Sequence, residues 1–263
     1  MPRLSVDIDL TFLPLKSRDE SFNEMSGAIL DIKREIENSI QGIQVTPFFT
    51  GKIPTKLIVT GDNIQIKIEA NFVFRGCVFK PEIRELSKEA QTQFQQYVKI
   101  RTLSKEDLYG GKICAALDRQ HPRDLFDVML LFNDEGITPE IRKAFVIYLA
   151  GHSRPMNELL NPKLKKLEEV FASQFSGMSR LPVSLSNLYS TRDKLIATIQ
   201  TSLNDAEKTF LLSMKKGVPD WGILGIKHLD KLSALQWKLI NIRKMNKQKH
   251  SEALRKLEKV LNS

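Results

Sequence analysis

Cysteine is nearly missing from this chain: 2 in 263 residues, Cys77 and Cys114, both in apolar surroundings and without Cys-x-x-Cys or Cys/His spacing. That excludes a disulfide framework and a structural zinc site, and it predicts two buried, reduced thiols in a cytoplasmic protein. Long apolar runs are missing as well. No stretch approaches the roughly 18–20 residues that a spanning helix needs, so neither a helical membrane protein nor a membrane partner is expected. The N-terminus has no basic segment leading into an apolar one, and no secretory signal is read there. An apolar fraction of 41% and a charged fraction of 27% argue against wholesale disorder. The length suits one large domain or two smaller ones.

Charge is present but uneven. The formal net charge is +9, and Lys227–Ser263 holds ten Lys/Arg against three acids, which gives +7 in that segment alone. A basic stripe of this kind suits a phosphate backbone, whose affinity comes from counterion release. The same stripe is equally what the solvated face of a helix in a basic protein looks like. Lys238, Arg243, Lys244, Lys247 and Lys249 are the candidate RNA-facing residues.

The first third reads as strands around one helix. "RLSVDIDLTFL" is strand-like, "ESFNEMSGAILDIKREIENSI" is helical, and "KLIVTG" and "NIQIKIEAN" flank a "GDN" turn, which predicts an antiparallel hairpin. In the second of these strands Ile64, Ile66, Ile68 and Ala70 share one face, and Gln65, Lys67, Glu69 and Asn71 the other. Helices follow. Ser104 caps "KEDLYGGKICAALDR", where Gly110 and Gly111 predict close approach by a neighbouring helix or a ligand. His121 belongs to the turn before Pro122, which opens "RDLFDVMLLFND". Further on, Asn161 and Pro162 predict a helix start, with Leu164, Leu167, Val170 and Phe171 as its buried stripe. Leu229, Leu232, Leu235, Leu239 and Ile242 predict a buried face in the basic segment. The expected architecture is α+β: a mixed sheet with helices over residues 1–136 and a helical bundle over 137–263.

The chemistry centres on "DID". With a side-chain period of two, Asp7 and Asp9 project to one face about 7 Å apart, while Val6, Ile8 and Leu10 are expected in the core. Paired carboxylates at that spacing can hold a hard divalent cation. The spacing of an EF-hand loop, with its glycine and terminal Glu, is not there. Alone, the pair reads equally as a solvated strand edge. Glu69, on the polar face of its own strand, is the natural third acid, and three such carboxylates can build a two-metal phosphoryl-transfer site.

Taken together, "RLSVDIDL", "IKIEAN" and "GGKICAALDRQHPRDLFDV" resemble the AbiEii/AbiGii-type nucleotidyltransferase toxins of the polymerase-β-like superfamily. The last block is the most specific, since it joins Lys112, Arg119, Arg123, Asp124 and Asp127 in one pattern. The resemblance implies Mg²⁺ or Mn²⁺ held by Asp7, Asp9 and Glu69, with a nucleoside triphosphate as substrate. It implies that Lys112 contacts the triphosphate, that Asp124 orients Lys112, the base or the sugar, and that Arg3 and Ser5 lie near the phosphates. It further implies transfer of a nucleoside monophosphate to a hydroxyl acceptor, with RNA and in particular tRNA as candidates. The implied role is that of a toxin in a toxin–antitoxin or phage-defence pair, restrained by a separately encoded antitoxin. Family members carry a Gly-Gly or Gly-Ser element ahead of the Asp-x-Asp strand. Only six residues precede Asp7, and the element is not among them. Two expectations stay open on that account: a longer coding sequence, or a transferase fold that has lost nucleotide binding and binds nucleic acid or a protein through its basic helix.

Overall fold

The computed structural model describes residues 3–5, 7–62 and 64–262. Val6 of the expected strand core and Asn63 of the expected turn lie outside these residues. The contacts divide the chain into a sheet unit, Ser5–Gly76 with Lys231–Ala234, and a helical unit made of the residues up to Leu4, Cys77–Asp230 and the chain from Leu235 onward. The division therefore falls after Gly76, while the expected boundary after residue 136 lies inside the helical unit.

In the sheet unit the order along the chain is β1 (Asp7–Leu10), α1 (Arg18–Ser39), β2 (Gln44–Thr50), β3 (Ile53–Gly61) and β4 (Ile64–Ala70). The spatial order is β1-β4-β3-β2, with β1 parallel to β4 and the remaining pairs antiparallel. Helix α1 starts at a capping box. The Ser17 hydroxyl accepts from the Glu20 amide, and the Glu20 carboxylate accepts from the Ser17 amide. Ser21, Met25 and Ile29 recur every four residues and form its buried face. Ile29 joins Val45, Leu57 and Ile68 in the core beneath it. Because α1 packs on β2 and β3, the apolar face of the short edge strand gains little cover. Ile8, expected in the core, is 47% exposed, and Ile64 at the start of β4 is 58% exposed. Leu10 is partly buried against the core as expected. Ser233 ties the distant tetrapeptide to this unit: its hydroxyl accepts from the Arg75 amide at 3.0 Å and donates to the Val73 carbonyl at 3.1 Å.

The helical unit begins with a two-stranded ribbon, β5 (Glu82–Glu85) and β6 (Lys99–Thr102), around α2 (Lys88–Phe94). It continues through α3 (Lys105–Arg119), α4 (Pro122–Asp134), α5 (Pro139–Gly151), α6 (Met156–Leu160), α7 (Glu168–Gln174), α8 (Leu185–Ser202), α9 (Asp205–Lys216), α10 (Ser233–Arg243) and α11 (Lys247–Leu261), with a 3₁₀ turn at Leu229–Lys231. Helix α3 is its centre, packing on α4, α5, α6 and α8. Its start is fixed twice. Ser104 caps the Asp107 amide, and the buried Asp107 carboxylate accepts from the Val78 and Phe79 amides at 2.8 Å each, from Ser104 Oγ at 3.1 Å and from Tyr148 Oη at 3.0 Å. Four donors offset the cost of burying the charge.

One local expectation gives way to tertiary hydrogen bonds. Residues 161–167 are not helical. Asn161 is the C-cap of α6, Leu164 is 56% exposed, and α7 starts only at Glu168. The buried Gln120 amide donates to the Lys163 carbonyl at 2.9 Å and accepts from the Lys165 amide at 3.0 Å. Arg192 donates to the Lys165 carbonyl at 2.8 Å. These partners satisfy an extended backbone that a helix would otherwise satisfy internally. Between α8 and α9 the chain breaks where Asn204 and Glu207 form a local capping box. Leu229, Leu232, Leu235, Leu239 and Ile242 are all buried, as their spacing predicts.

The two glycines of α3 separate into different roles. A Cβ on Gly110 would stand 2.8 Å from Ala144 Cβ and 2.9 Å from the Phe145 nitrogen, whereas one on Gly111 would meet only the Tyr148 ring at 3.7 Å. The close approach is therefore that of α5, and only at Gly110. Gly110→Ala should destabilise the protein by about 1–3 kcal/mol through the forced shift of α5, while Gly111→Ala should stabilise by up to about 1 kcal/mol through helix propensity. Urea unfolding of the two variants checks the opposite signs.

Candidate active site

The acid-bearing strand owes its neighbours to a parallel register. β1 pairs with β4 so that Asp7 stands opposite Lys67 and Asp9 opposite Glu69. β3 adds Lys56 opposite Glu69 on the other side. Residues in register share a face, so one face carries Asp7, Asp9 and Glu69 together with Lys56 and Lys67. The three carboxylates expected from the sequence are thus brought to a single sheet face.

They are not left to repel one another. Lys67 Nζ lies 3.3 Å from Asp7 Oδ2 and 3.3 Å from Glu69 Oε2, and Lys56 Nζ lies 3.2 Å from Glu69 Oε1. Burial alone would raise the Glu69 carboxyl, but hydrogen bonds from Lys56 and Lys67 outweigh it and hold the group below its usual range. Burial likewise pulls the Lys67 ammonium down, and Glu69 and Asp7 carry it above its usual range. Ser5 Oγ donates to the Asp7 carbonyl at 3.3 Å.

The donor chemistry of this face suits a hard divalent cation, since carboxylate oxygens are what such ions prefer. The Lys67 ammonium bridges Asp7 and Glu69. Among the described residues no three His, Cys, Asp or Glu side chains are gathered closely enough to hold a metal ion. The acids are of the donor type such an ion takes, but they are not gathered into a cradle, and an ammonium stands between two of them.

A second cluster lies within the helical unit. Asp127 on α4 is 8% exposed and accepts a two-pronged pair from Arg3, Nε to Oδ1 at 2.7 Å and Nη2 to Oδ2 at 2.7 Å. Lys112 on α3 donates to the same Oδ2. Burial would raise the Asp127 carboxyl, but the Arg3 hydrogen bonds and the Lys112 charge outweigh it and hold it below its usual range. Asp124, one turn earlier, is taken by Arg119 through bonds of 3.0 and 2.7 Å. The partner of Lys112 is thus Asp127 and not Asp124, and Asp127 pairs across the unit instead of with Arg123 four residues away. His121 Nδ1 accepts from the Arg123 amide, a capping role that agrees with its reading as part of the turn.

The basic segment keeps four of its five candidates on the surface. Arg243, Lys244, Lys247 and Lys249 are exposed. Lys238 is not an outward lysine. Its Nζ donates to the carbonyls of His152 at 2.7 Å and Arg154 at 2.9 Å, just past the end of α5, and burial pushes the ammonium down to about 8. The amphipathic spacing put Lys238 on the polar side, and only the packing of α10 shows what it caps. Lys67 carried a readable signal, because it sits two residues before Glu69 and so on the same strand face. Asp107 carried only a capping signal, three residues after Ser104, and no such signal marked the partners of Asp127. Both cysteines are free, with Cys114 buried and Cys77 half-buried; burial raises both thiols, Cys77 to about 11. No described helix is long and apolar enough to cross a membrane.

The profile of a protein family described as nucleotidyl transferase AbiEii toxin, type IV TA system, matches residues 1–239. No curated protein sequence matches the chain significantly. Among solved structures, MenT4, a nucleotidyltransferase toxin from Mycobacterium tuberculosis H37Rv, superposes with a TM-score of 0.53 at 14% identity, covering 97% of this chain and 78% of that one. At that identity the likeness speaks to the fold.

The charge state of Asp127 makes a measurable difference. A carboxylate held below its usual value contributes stability that is present above the unfolded-state pKa, near 4, and is lost as pH falls through the folded value. Asp127→Asn should cost about 2–3 kcal/mol at pH 7, and the gap to wild type should close as pH drops below about 4. Asp124→Asn should cost below about 1 kcal/mol, because its Arg119 partner is solvated. Urea midpoints between pH 3 and 7 check both.

Proposed function

The chain belongs to the AbiEii nucleotidyltransferase toxin family of type IV toxin–antitoxin systems, and from that premise we propose that it moves a nucleoside monophosphate from a nucleoside triphosphate to a hydroxyl on RNA, using a divalent cation. Membership implies a nucleoside triphosphate substrate and an antitoxin partner. The observation that carries the finer reading is the β1–β4 register, which sets Asp9 opposite Glu69 and Asp7 two residues away on the same face.

On this reading Asp7, Asp9 and Glu69 would hold Mg²⁺ or Mn²⁺. Such an ion, when bound, lowers the pKa of an attacking hydroxyl and neutralises charge on the triphosphate. Glu69 also accepts the hydroxyl proton. In the helical unit Lys112 supplies a positive charge for the leaving pyrophosphate. Asp127 holds that ammonium in place, so it acts as a positioning residue through Lys112. Arg3, shared by the same carboxylate, and Ser5 are the further candidates for phosphate contact. Asp124, engaged by Arg119, is a candidate for the base or sugar.

For the acceptor, the exposed basic residues from Arg243 through α11 suit an RNA backbone. Lys247 and Lys249 on α11 are joined there by exposed Arg255, Lys256 and Lys259, while Leu257 and Leu261 bury the opposite side. tRNA is the acceptor class the family resemblance favours.

Asp9→Ala should reduce incorporation of labelled nucleotide into RNA to background while circular dichroism stays that of wild type. Incorporation surviving this change would remove Asp9 from the site. Replacing Lys244, Lys247 and Lys249 together by Glu should weaken RNA binding and lower the slope of log affinity against log salt by about 3. An unchanged slope would leave that face merely solvated.

A further inference from the structure

The sheet unit holds a buried cation that no acid answers. Arg75 is 8% exposed, yet its guanidinium makes a single hydrogen bond among the described residues, from Nη1 to the Phe72 carbonyl at 2.6 Å, and its Nε is buried without a partner. Buried charges are ordinarily paired, and an orphaned buried donor calls for an explanation. The nearest charge is a second cation. The Arg75 guanidinium lies 5.1 Å from the centre of the Phe22 ring, and that of Arg18 lies 4.4 Å from the centre of the same ring. Burial and the Arg18 charge both push the Arg75 guanidinium below its ordinary range. Contact with the ring offsets part of the cost for each cation, but it does nothing for the repulsion between them.

The fold builds this pair. β1 and β4 run parallel and α1 follows β1, so the start of α1 and the segment after β4 lie together at the carboxyl ends of both strands, where open sheets bind their ligands. Asn71 Oδ1 accepts from the Val73 and Phe74 amides at 3.0 and 2.8 Å, and Ser233 Oγ accepts from the Arg75 amide, which fixes the turn that carries Arg75. From the other side Phe22 meets Phe72 edge to face, with ring centres 5.4 Å apart. Arg18, four residues before Phe22, opens a 22-residue helix whose N-terminus adds a partial positive charge of its own. The acids of that first turn leave the arginines alone. The Glu20 carboxylate is closed onto Ser17, and among the described residues neither Arg18 nor Arg75 forms an ion pair with a carboxylate.

We propose that Arg18 and Arg75 form an oxyanion site for a phosphate group, with the Phe22 ring as the wall against which both guanidiniums are held. A guanidinium presents N–H groups in a fork that matches phosphate oxygens, and two of them without an acid leave a charge of +2 for the phosphate to neutralise. The site uses none of the residues assigned to nucleotide transfer, so it stands or falls apart from that reading. Two sources carry such a group, a free phosphate compound and the backbone of RNA, and the test separates them.

The test is calorimetric titration of the whole protein with inorganic phosphate, with chloride at equal ionic strength as the control. Wild type should bind phosphate. Arg18→Gln and Arg75→Gln should each weaken that binding about tenfold, the loss of one charge-assisted contact, and Arg18→Lys should recover part of it. Absence of binding by wild type, or binding that neither Gln variant changes, overturns the site. Arg18 is exposed, so its variants keep the test valid should Arg75→Gln fold poorly. A substitution-free measurement stands beside them: phenylglyoxal labelling of Arg18 in the wild type, read by mass spectrometry, should fall as phosphate is added, and unchanged labelling counts against the site. The source is read from a labelled oligoribonucleotide titrated at several salt concentrations. Weaker binding by Arg18→Gln, with the slope of log affinity against log salt lowered by about 1, assigns the phosphate to RNA. Unchanged RNA binding beside weakened inorganic phosphate assigns it to a free phosphate compound.

Discussion

Three carboxylates on one sheet face cannot stand together without positive charge among them. That electrostatic demand organises the sheet unit. The parallel pairing of β1 with β4 sets Asp9 against Glu69 and Asp7 against Lys67, and the antiparallel pairing of β3 brings Lys56 to Glu69 from the other side. Lys56 and Lys67 meet that demand at Glu69 and Asp7. On the short edge strand Ile8 gains little burial, while Leu10 packs against the core and Asp7 pairs with Lys67.

The helical unit answers a second charge in the same way. Asp127 is nearly buried, and a buried carboxylate needs donors from more than one side. Arg3 and Lys112 supply them. Arg3 and Leu4 are further fixed by the bridge from Arg3 to Ser179 and by the bond from the Leu4 amide to the Met178 carbonyl. A charge pair thus links a motif lysine, a motif aspartate and a residue of the leading segment. Lys112 is thereby held in one orientation by the fold, which is what the proposed preorganised charge stabilisation would require.

Much of this was legible in the residues. Strand alternation put Asp7 and Asp9 on one face and Glu69 on the polar side of its strand. Caps at Ser104 and Pro122 set the helices that carry Lys112 and Asp127, and four-residue spacing marked the buried leucines of the basic segment. The misreadings share one cause. At Asn161–Pro162 a good local helix start lost to hydrogen bonds from Gln120 and Arg192, residues far away in sequence. Lys238 looked outward by periodicity, yet α10 lies where that lysine reaches the carbonyls beyond α5.

The sequence by itself determined the local alphabet: where most helices and strands lie, which side chains share a face, and that acids and a lysine recur in the order of a known transferase family. These follow from period, capping and composition, which act within a few residues. Only the tertiary structure decided which charges neutralise which. That β1 lies parallel on β4, that Lys67 stands between Asp7 and Glu69, and that Asp127 and not Asp124 holds Lys112 are facts about strands and helices meeting across long stretches of chain. Partner choice for a charge depends on distance and burial, and neither exists until the chain has folded.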